Sequence, residues 1–312
     1  MKVLLTLCAL FLSTAVNAAA LKDIVVFGDS LSDNGNLYEY MHHQLPQSPP
    51  YYEGRFTNGP LWVERLLALY YKKNPNSHLK DYAFGGAGVS EEDDGGVLFT
   101  LRSEIESYFL THHQAEKNNL YVVWIGANNY LGVPEDVNET VARVNKGIAN
   151  GLRQLADKGA RHILVFNLPD LGKAPAAKDF EAEDILSEFC RQHNAALANT
   201  MRELKAEYPK VQWIFYDVNE LLNNIFADPA RYGFNNVDQT CYDVMIEKPS
   251  QKSVLEIASR VHLNSEQDSC EGFLFFDPVH PTAPAHQIMA ETAYRLLKEA
   301  DISFGNSNSE EG

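Results

Sequence analysis

Positive charge is what this chain of 312 residues has least of. Twenty-six Lys and Arg stand against 42 Asp and Glu, for a formal net charge of −16. Nucleic-acid binders need a basic footprint on which to hold phosphates, and anionic membranes attract basic surfaces. The balance argues against nucleic acid and anionic lipid surfaces as partners, and fits a soluble, self-repelling protein. Long apolar runs are missing as well, apart from one at the start. Lys2 is followed by an apolar stretch from Val3 to Val16 and then by Ala18, Ala19 and Ala20. That is the anatomy of a secretory signal peptide over residues 1–20, cleaved near Ala18 to Ala20. The run is shorter than the roughly 20 residues a membrane span needs. No transmembrane segment is expected, and the mature protein should be exported to the extracellular space.

Cysteine is sparse too, at four residues. Cys8 belongs to the leader and comes too early for lipid attachment. Cys190 falls in a helical pattern (DILSEFCRQHNAALANTM) and reads as a small buried hydrophobe. Cys241 and Cys270 flank a polar stretch without regular pattern, so an oxidising compartment should join them. The lysine-containing middle of that loop, EKPSQKS, is expected to be accessible to a processing protease, and the loop to act as a lid or restraint.

Several familiar motifs are missing. GDSLS, at positions 28–32, has Ser32 where a G-x-S-x-G elbow needs glycine. The run from Gly85 to Gly88 is neither G-x-G-x-x-G nor a P-loop, so no nucleotide site is expected. The acidic run from Glu91 to Asp94 lacks EF-hand spacing and reads as a solvated loop. The adjacent pairs His42-His43 and His112-His113 point different ways and make poor chelates. No metal and no cofactor is expected. Asn138-Glu139-Thr140 has the form of a glycosylation sequon, which matters only in a host that glycosylates.

What is present is an ordinary globular composition, 45% hydrophobic, ample for one large core. Apolar runs at Ile24–Phe27, Leu120–Ile125, Arg161–Asn167 and Val211–Tyr216 read as strands, with a weaker one at Leu79–Ala83. Helical patterns lie between and after them. One covers Glu139 to Lys158 and stops at Gly159, another runs from Glu183 to Tyr208 and stops at Pro209, and a last one follows Pro284. Continuous apolar strands separated by helices imply a parallel sheet covered on both faces. The expected fold is α/β: one three-layer α/β/α domain over residues 21–304, with a central, mostly parallel five-stranded sheet. Residues 305–312 (GNSNSEEG) read as a disordered tail.

Ser30, Gly86 and Asn128 each follow an expected strand, where such sheets carry their sites. Far downstream, Asp277 and His280 stand three residues apart in a proline-shaped turn, close enough to hydrogen-bond. A carboxylate that orients an imidazole, delivered to a serine, is the logic of a catalytic triad. Taken alone, GDS favours Ser30 as a helix cap, and a D-x-x-H pair is more often a surface ion pair than a triad element. Asp29 is read as shaping the turn. Tyr51, Tyr52, Phe56 and Trp62 are read as core packing, with the wall of an acyl-chain groove as the functional alternative.

GDS at 28–30, GGA at 85–87, GAN at 126–128 and DPVHPT at 277–282 resemble, in order, the four blocks of the GDSL or SGNH hydrolase family. GDSLSDNGN and GRFTNGPLWVE (Gly54 to Glu64) resemble its secreted lipase and glycerophospholipid–cholesterol acyltransferase branch, and within it the secreted lysophospholipases A. The resemblance covers nearly the whole mature chain. It implies the flavodoxin-like SGNH-hydrolase fold, with Ser30 as nucleophile, His280 as base and Asp277 as its orienting group. The backbone N–H groups of Ser30 and Gly86 and the side-chain amide of Asn128 would form the oxyanion hole. The family usually carries Asp after that asparagine; here Asn129 stands in its place. The implied activity is hydrolysis of the acyl ester of lysophospholipids, with transfer to cholesterol or another lipid alcohol as a variant. A carbohydrate deacetylase or short-chain esterase, and a non-catalytic lipid-binding module, are the alternatives.

Overall fold

The computed structural model describes residues 20–89, 99–242 and 270–305. The expected leader before Ala20, the run Glu91–Asp94, the EKPSQKS segment and the expected tail after Gly305 lie outside the described residues. Within them every expected strand forms: β1 (Asp23–Gly28), β2 (Leu79–Asp81), β3 (Asn119–Trp124), β4 (His162–Phe166) and β5 (Gln212–Tyr216). All pair in parallel, in the order β2-β1-β3-β4-β5. β1 and β3 are buried along their whole length, as strands covered by helices on both faces must be.

The helices are α1 (Asn36–Tyr40), α2 (Trp62–Tyr70), α3 (Leu101–Thr111), α4 (Asn128–Leu131), α5 (Val137–Asp157), α6 (Pro175–Asp179), α7 (Glu183–Glu207), α8 (Val218–Ala227) and α9 (Ala283–Glu299). α3, α5 and α7 pack in a row, while α2 packs on α9. Right-handed crossovers put these two groups on opposite faces of the sheet. α5 shows why the pattern reads so clearly. Asp136 caps it by accepting from the Glu139 N–H at 2.8 Å. Val141, Val144, Ile148, Leu152 and Leu155 then bury one stripe, and the chain leaves the helix at Gly159 with φ 108°.

The strand order decides where the site lies. From β1 the chain winds outward to β2, then returns to β3 on the other flank of β1. The loops after β1 and β3 therefore diverge and open a crevice at the carboxyl edge of the sheet. Gly28 pairs in register with Trp124, and a Cβ on Gly28 would stand 2.5 Å from the Trp124 carbonyl oxygen. Only glycine admits that approach. Below the crevice Trp62, Trp124, Phe166 and Tyr216 stack in a buried cluster with centroids 4.4 to 6.1 Å apart. Each buried side chain of this size contributes about 1.5–3 kcal/mol.

One feature goes beyond the expected architecture, and the expected bridge is present. β6 (Asn236–Thr240) and β7 (Phe273–Phe275) form a separate two-stranded parallel sheet. Cys241 and Cys270 are joined by a disulfide, with their Cα atoms 5.4 Å apart. The bridge spans the two ends of this small sheet, just upstream of Asp277. Cys190 is buried and unbridged, and burial pushes its thiol up to about 12. Ser30 also departs from one reading: it caps no helix. The chain turns twice on the Asp29 carbonyl, which accepts from the Ser32 and Asp33 N–H groups at 3.0 Å each. The first helix begins only at Asn36.

Candidate active site

His280 Nε2 lies 2.8 Å from Ser30 Oγ, and His280 Nδ1 lies 2.6 Å from Asp277 Oδ2. The three side chains form one hydrogen-bonded line between residues 250 positions apart. Ser30 is buried to 4% exposure, and Asp277 and His280 to 0%. The turn around the pair is built by Asp277 itself. Its Oδ1 accepts from the backbone N–H groups of Val279 and His280 at 2.8 and 2.7 Å. The paired β7 chain secures the turn from outside: Cys241 and Tyr242 donate their N–H groups to the carbonyls of Phe275 and Phe276, and Phe276 donates to the His280 carbonyl.

Burial alone would raise the Asp277 carboxyl. The charge of His280 and hydrogen bonds from His280, Tyr51 and the Val279 N–H overcome it and hold the group below the usual carboxylate range. Tyr51 is the partner that the sequence did not reveal. Its hydroxyl donates to Asp277 Oδ2 at 2.6 Å. Burial first, and then the Asp277 charge, push the phenol well above its ordinary value, so it stays a neutral donor.

The whole segment from Tyr51 to Trp62 grips the His280 turn. Phe56 packs against the His280 ring at 5.1 Å between centroids. Thr57 Oγ1 donates to the Pro281 carbonyl at 2.8 Å, and Asn58 Oδ1 accepts from the Ala283 N–H at 2.7 Å. The Trp62 N–H donates to His286 Nδ1 at 3.1 Å, while its indole N–H donates to Ser32 Oγ at 3.1 Å. Core packing describes Tyr51, Phe56 and Trp62; Tyr52 departs from it at 37% exposure, with the Arg55 guanidinium over its ring. The only sequence signal for this clamp was the GRFTNGPLWVE wording itself.

Among the expected oxyanion donors, Asn128 stands at the start of α4 and uses one N–H of its amide on the Ala87 carbonyl at 2.7 Å. That bond fixes the amide plane and leaves the second N–H available. Gly86 adopts φ 77°, a conformation glycine takes without strain. Neither its N–H nor that of Ser30 is taken by another group among the described residues. Asn129 accepts from the Val89 N–H through Oδ1 at 3.0 Å, so the amide does the loop-holding work that a carboxylate oxygen could do there.

Asp33 joins the two loops. Its carboxylate accepts from Gly35, Asn36 and Leu37 on the β1 side and from Gly85 at 2.7 Å on the other. Asp81 accepts from Asn34 and Ala83, and Glu104 from the Gly28 N–H at 2.8 Å. Burial raises Asp29 and Asp33 to about 6, and raises Asp81 and Glu104 well above the carboxylate range. A shell of buried acids, rich in backbone donors, thus underlies the serine loop.

Ser30, Asn128 and Asp29 line a cavity whose walls are otherwise mainly apolar, with Leu131, Leu222, Phe226 and Met289 among them. A hydroxyl aligned on an imidazole, itself aligned on a carboxylate, can be activated as a nucleophile. Neutral N–H donors nearby can receive a developing oxyanion. Among the described residues no cluster of His, Cys, Asp and Glu is arranged to hold a metal ion, and no helix is long and apolar enough to cross a membrane.

Residues 24–293 match the family described as GDSL-like Lipase/Acylhydrolase. The phosphatidylcholine-sterol acyltransferase of Aeromonas hydrophila is 31% identical over 328 residues, covering 95% of this chain and 96% of that one. The thermolabile hemolysin of Vibrio parahaemolyticus is 29% identical over 287 residues, covering 89% of this chain and 64% of that one. Among solved structures, an acetylxylan esterase from Geobacillus stearothermophilus aligns with a TM-score of 0.45 at 12% identity, covering 92% of this chain and 98% of the other.

Proposed function

The chain belongs to the GDSL-like lipase/acylhydrolase family and is a carboxylic ester hydrolase, and on that basis we propose that it is an exported lysophospholipase A using Ser30, His280 and Asp277. The observation that carries this reading is the Ser30–His280–Asp277 line at 2.8 and 2.6 Å, whose Ser30 lines a mainly apolar cavity. An apolar slot with a few polar groups at the reacting end suits an acyl chain. Export is read from the leader-like residues 1–20.

In the proposed cycle Ser30 Oγ attacks the ester carbonyl as its proton passes to His280 Nε2. Asp277 holds the ring and stabilises the imidazolium. The carbonyl oxygen, now an anion, accepts from the Ser30 and Gly86 N–H groups and the free N–H of Asn128. His280 returns its proton to the departing alkoxide, and the lysolipid backbone leaves as an alcohol. Water then gives its proton to His280 and attacks the acyl-serine, releasing fatty acid and restoring Ser30. Each step is proton transfer and acyl transfer, and none calls for a metal or organic cofactor.

Acyl transfer is a second reading, favoured by the 31% identity to an enzyme named as a phosphatidylcholine-sterol acyltransferase. A lipid alcohol replacing water in the last step gives a new ester from the same intermediate. One panel tests both readings: lysophosphatidylcholine, diacyl phosphatidylcholine, acetylated sugars and short p-nitrophenyl esters, each with and without cholesterol. Fatty acid released fastest from lysophosphatidylcholine, and abolished in a folded Ser30→Ala variant, is the expected result. Preference for acetylated sugars would overturn the lipid reading, and full activity in Ser30→Ala would overturn the site.

A further inference from the structure

His193 stands near the middle of α7, fully buried, and takes no part in the proposed chemistry of Ser30. Burial pushes its imidazole down to about 3, so the ring is neutral. Two donors converge on its Nδ1: the Tyr130 hydroxyl at 2.8 Å and the Asn145 amide nitrogen at 3.4 Å. The same amide nitrogen donates to the Val141 carbonyl at 3.2 Å, which turns the nitrogen and not the oxygen toward the ring. Nδ1 is therefore an acceptor, and the ring proton sits on Nε2. A buried hydroxyl needs such a partner, and a carboxylate here would bring an unpaired charge into the core.

The chain on either side of Asn128 meets this ring. On one side is Gly126, at φ 122°, where an added Cβ would stand 3.1 Å from His193 Cε1. On the other is Tyr130, whose ring stacks on Phe189 at 4.8 Å while its hydroxyl reaches Nδ1. α4 is a single turn, too short to hold its geometry unaided. Its residues grip three different neighbours: Asn128 the Ala87 carbonyl, Asn129 the Val89 N–H, and Tyr130 the imidazole. The Asn129 N–H donates to the Gly126 carbonyl and the Tyr130 N–H to the Ala127 carbonyl. A shift of Tyr130 is thus passed to Asn128.

We propose that His193 is a positioning residue for the oxyanion amide: it accepts the Tyr130 hydroxyl, backs Gly126, and so holds the open N–H of Asn128 on the developing anion. No bond is made or broken at His193. The inference rests on the reading of Asn128 as an oxyanion donor, and it deepens that reading by naming what aims the donor.

The test measures kcat, KM and urea stability with p-nitrophenyl butyrate, a substrate whose use keeps the result independent of the lysophospholipid assignment. Tyr130→Phe keeps the ring on Phe189 and deletes the hydroxyl. His193→Leu fills the space without an acceptor. His193→Asn sets an oxygen at the position of Nδ1 and leaves a void beyond it. Tyr130→Phe and His193→Leu should each lower kcat about 10-fold with KM within about two-fold of wild type. His193→Asn should lose stability yet keep kcat within about three-fold of wild type, because its oxygen still accepts from Tyr130. Turnover would then follow the acceptor and not the stability. Asn128→Ala alone should cost roughly 10²–10³ in kcat, and adding Tyr130→Phe to it should cost less than about two-fold more, since the donor to be aimed is gone. Wild-type kcat in Tyr130→Phe and His193→Leu, or losses that multiply in full with that of Asn128→Ala, would reduce His193 to core packing and overturn the inference alone. Wild-type turnover in Asn128→Ala would overturn the oxyanion reading and the inference together.

Discussion

Tyr51 donates its hydroxyl to the same Asp277 oxygen that meets the His280 ring, and both distances are 2.6 Å. The phenol is therefore a positioning group one step behind the proposed triad, supplied by a segment 226 residues away in sequence. Tyr51→Phe keeps the ring against Phe56 and Phe276 and removes only the donor. Since that bond helps to lower Asp277, its loss lets the carboxyl protonate at higher pH. Steady-state kinetics should show kcat reduced about 10-fold at neutral pH with little change in KM. The acid limb of the pH profile should move upward. An unmoved acid limb would reduce Tyr51 to packing.

Asn128→Ala removes one proposed oxyanion donor and its anchor on the Ala87 carbonyl. The expected effect is a loss of roughly 10²–10³ in kcat, with KM and the circular dichroism spectrum close to wild type. Losing binding instead of turnover would place Asn128 in ground-state recognition.

Glu104 gives a stability prediction with a definite sign. Its carboxyl is raised well above its unfolded value, first by burial and then by the neighbouring Asp81, Asp29 and Asp33. A carboxyl raised in the folded state binds its proton more tightly there. Its stabilising effect is complete below the unfolded value near 4.5 and is lost as pH climbs toward the raised one. Glu104→Gln keeps an acceptor for the Gly28 N–H without the charge. The Tm of the variant should match wild type at pH 4.5 and exceed it increasingly from pH 6 to 8. A constant offset across that range would contradict the linkage.

Removing the Cys241–Cys270 bond, by Cys241→Ser with Cys270→Ser, should lower stability by about 3–4 kcal/mol, measured by urea unfolding. Activity should fall further than stability explains, because β6 pairs with β7 immediately before the Asp277 turn. Activity equal to wild type under stabilising conditions would separate the bridge from the site.

Much of this architecture was legible before any coordinates. The strands announce themselves in runs such as IVVF and YVVW, whose apolar residues have nowhere to go but a sheet covered on both faces. Asp136 and Gly159 mark the ends of α5 by side-chain capping and backbone freedom. DPVHPT exposed the Asp277–His280 pair because three residues in a turn suffice for contact. What stayed hidden was long-range or polar. Tyr51 meets Asp277 only after folding, and its aromatic neighbours gave it the look of plain core. β6, with the sequence NVDQT, alternates too weakly to read as a strand. The Asp33 bonds to Gly85 and to the α1 backbone depend on two loops meeting, which no local pattern encodes.

The bridge between Cys241 and Cys270 also sets what a peptide cut inside that loop would leave. Ser30, Gly86 and Asn128 lie on one side of the loop in sequence, and Asp277 and His280 on the other. A nick between the two cysteines makes two polypeptides that remain one covalent molecule, with the proposed nucleophile on the longer piece and its proposed base on the shorter. Electrophoresis should then show a single species without reductant and two with it. A reducing agent acting on the nicked form could separate Ser30 from His280, while the same agent acting on the uncut form could not. Redox sensitivity of the enzyme would thus depend on its proteolytic history.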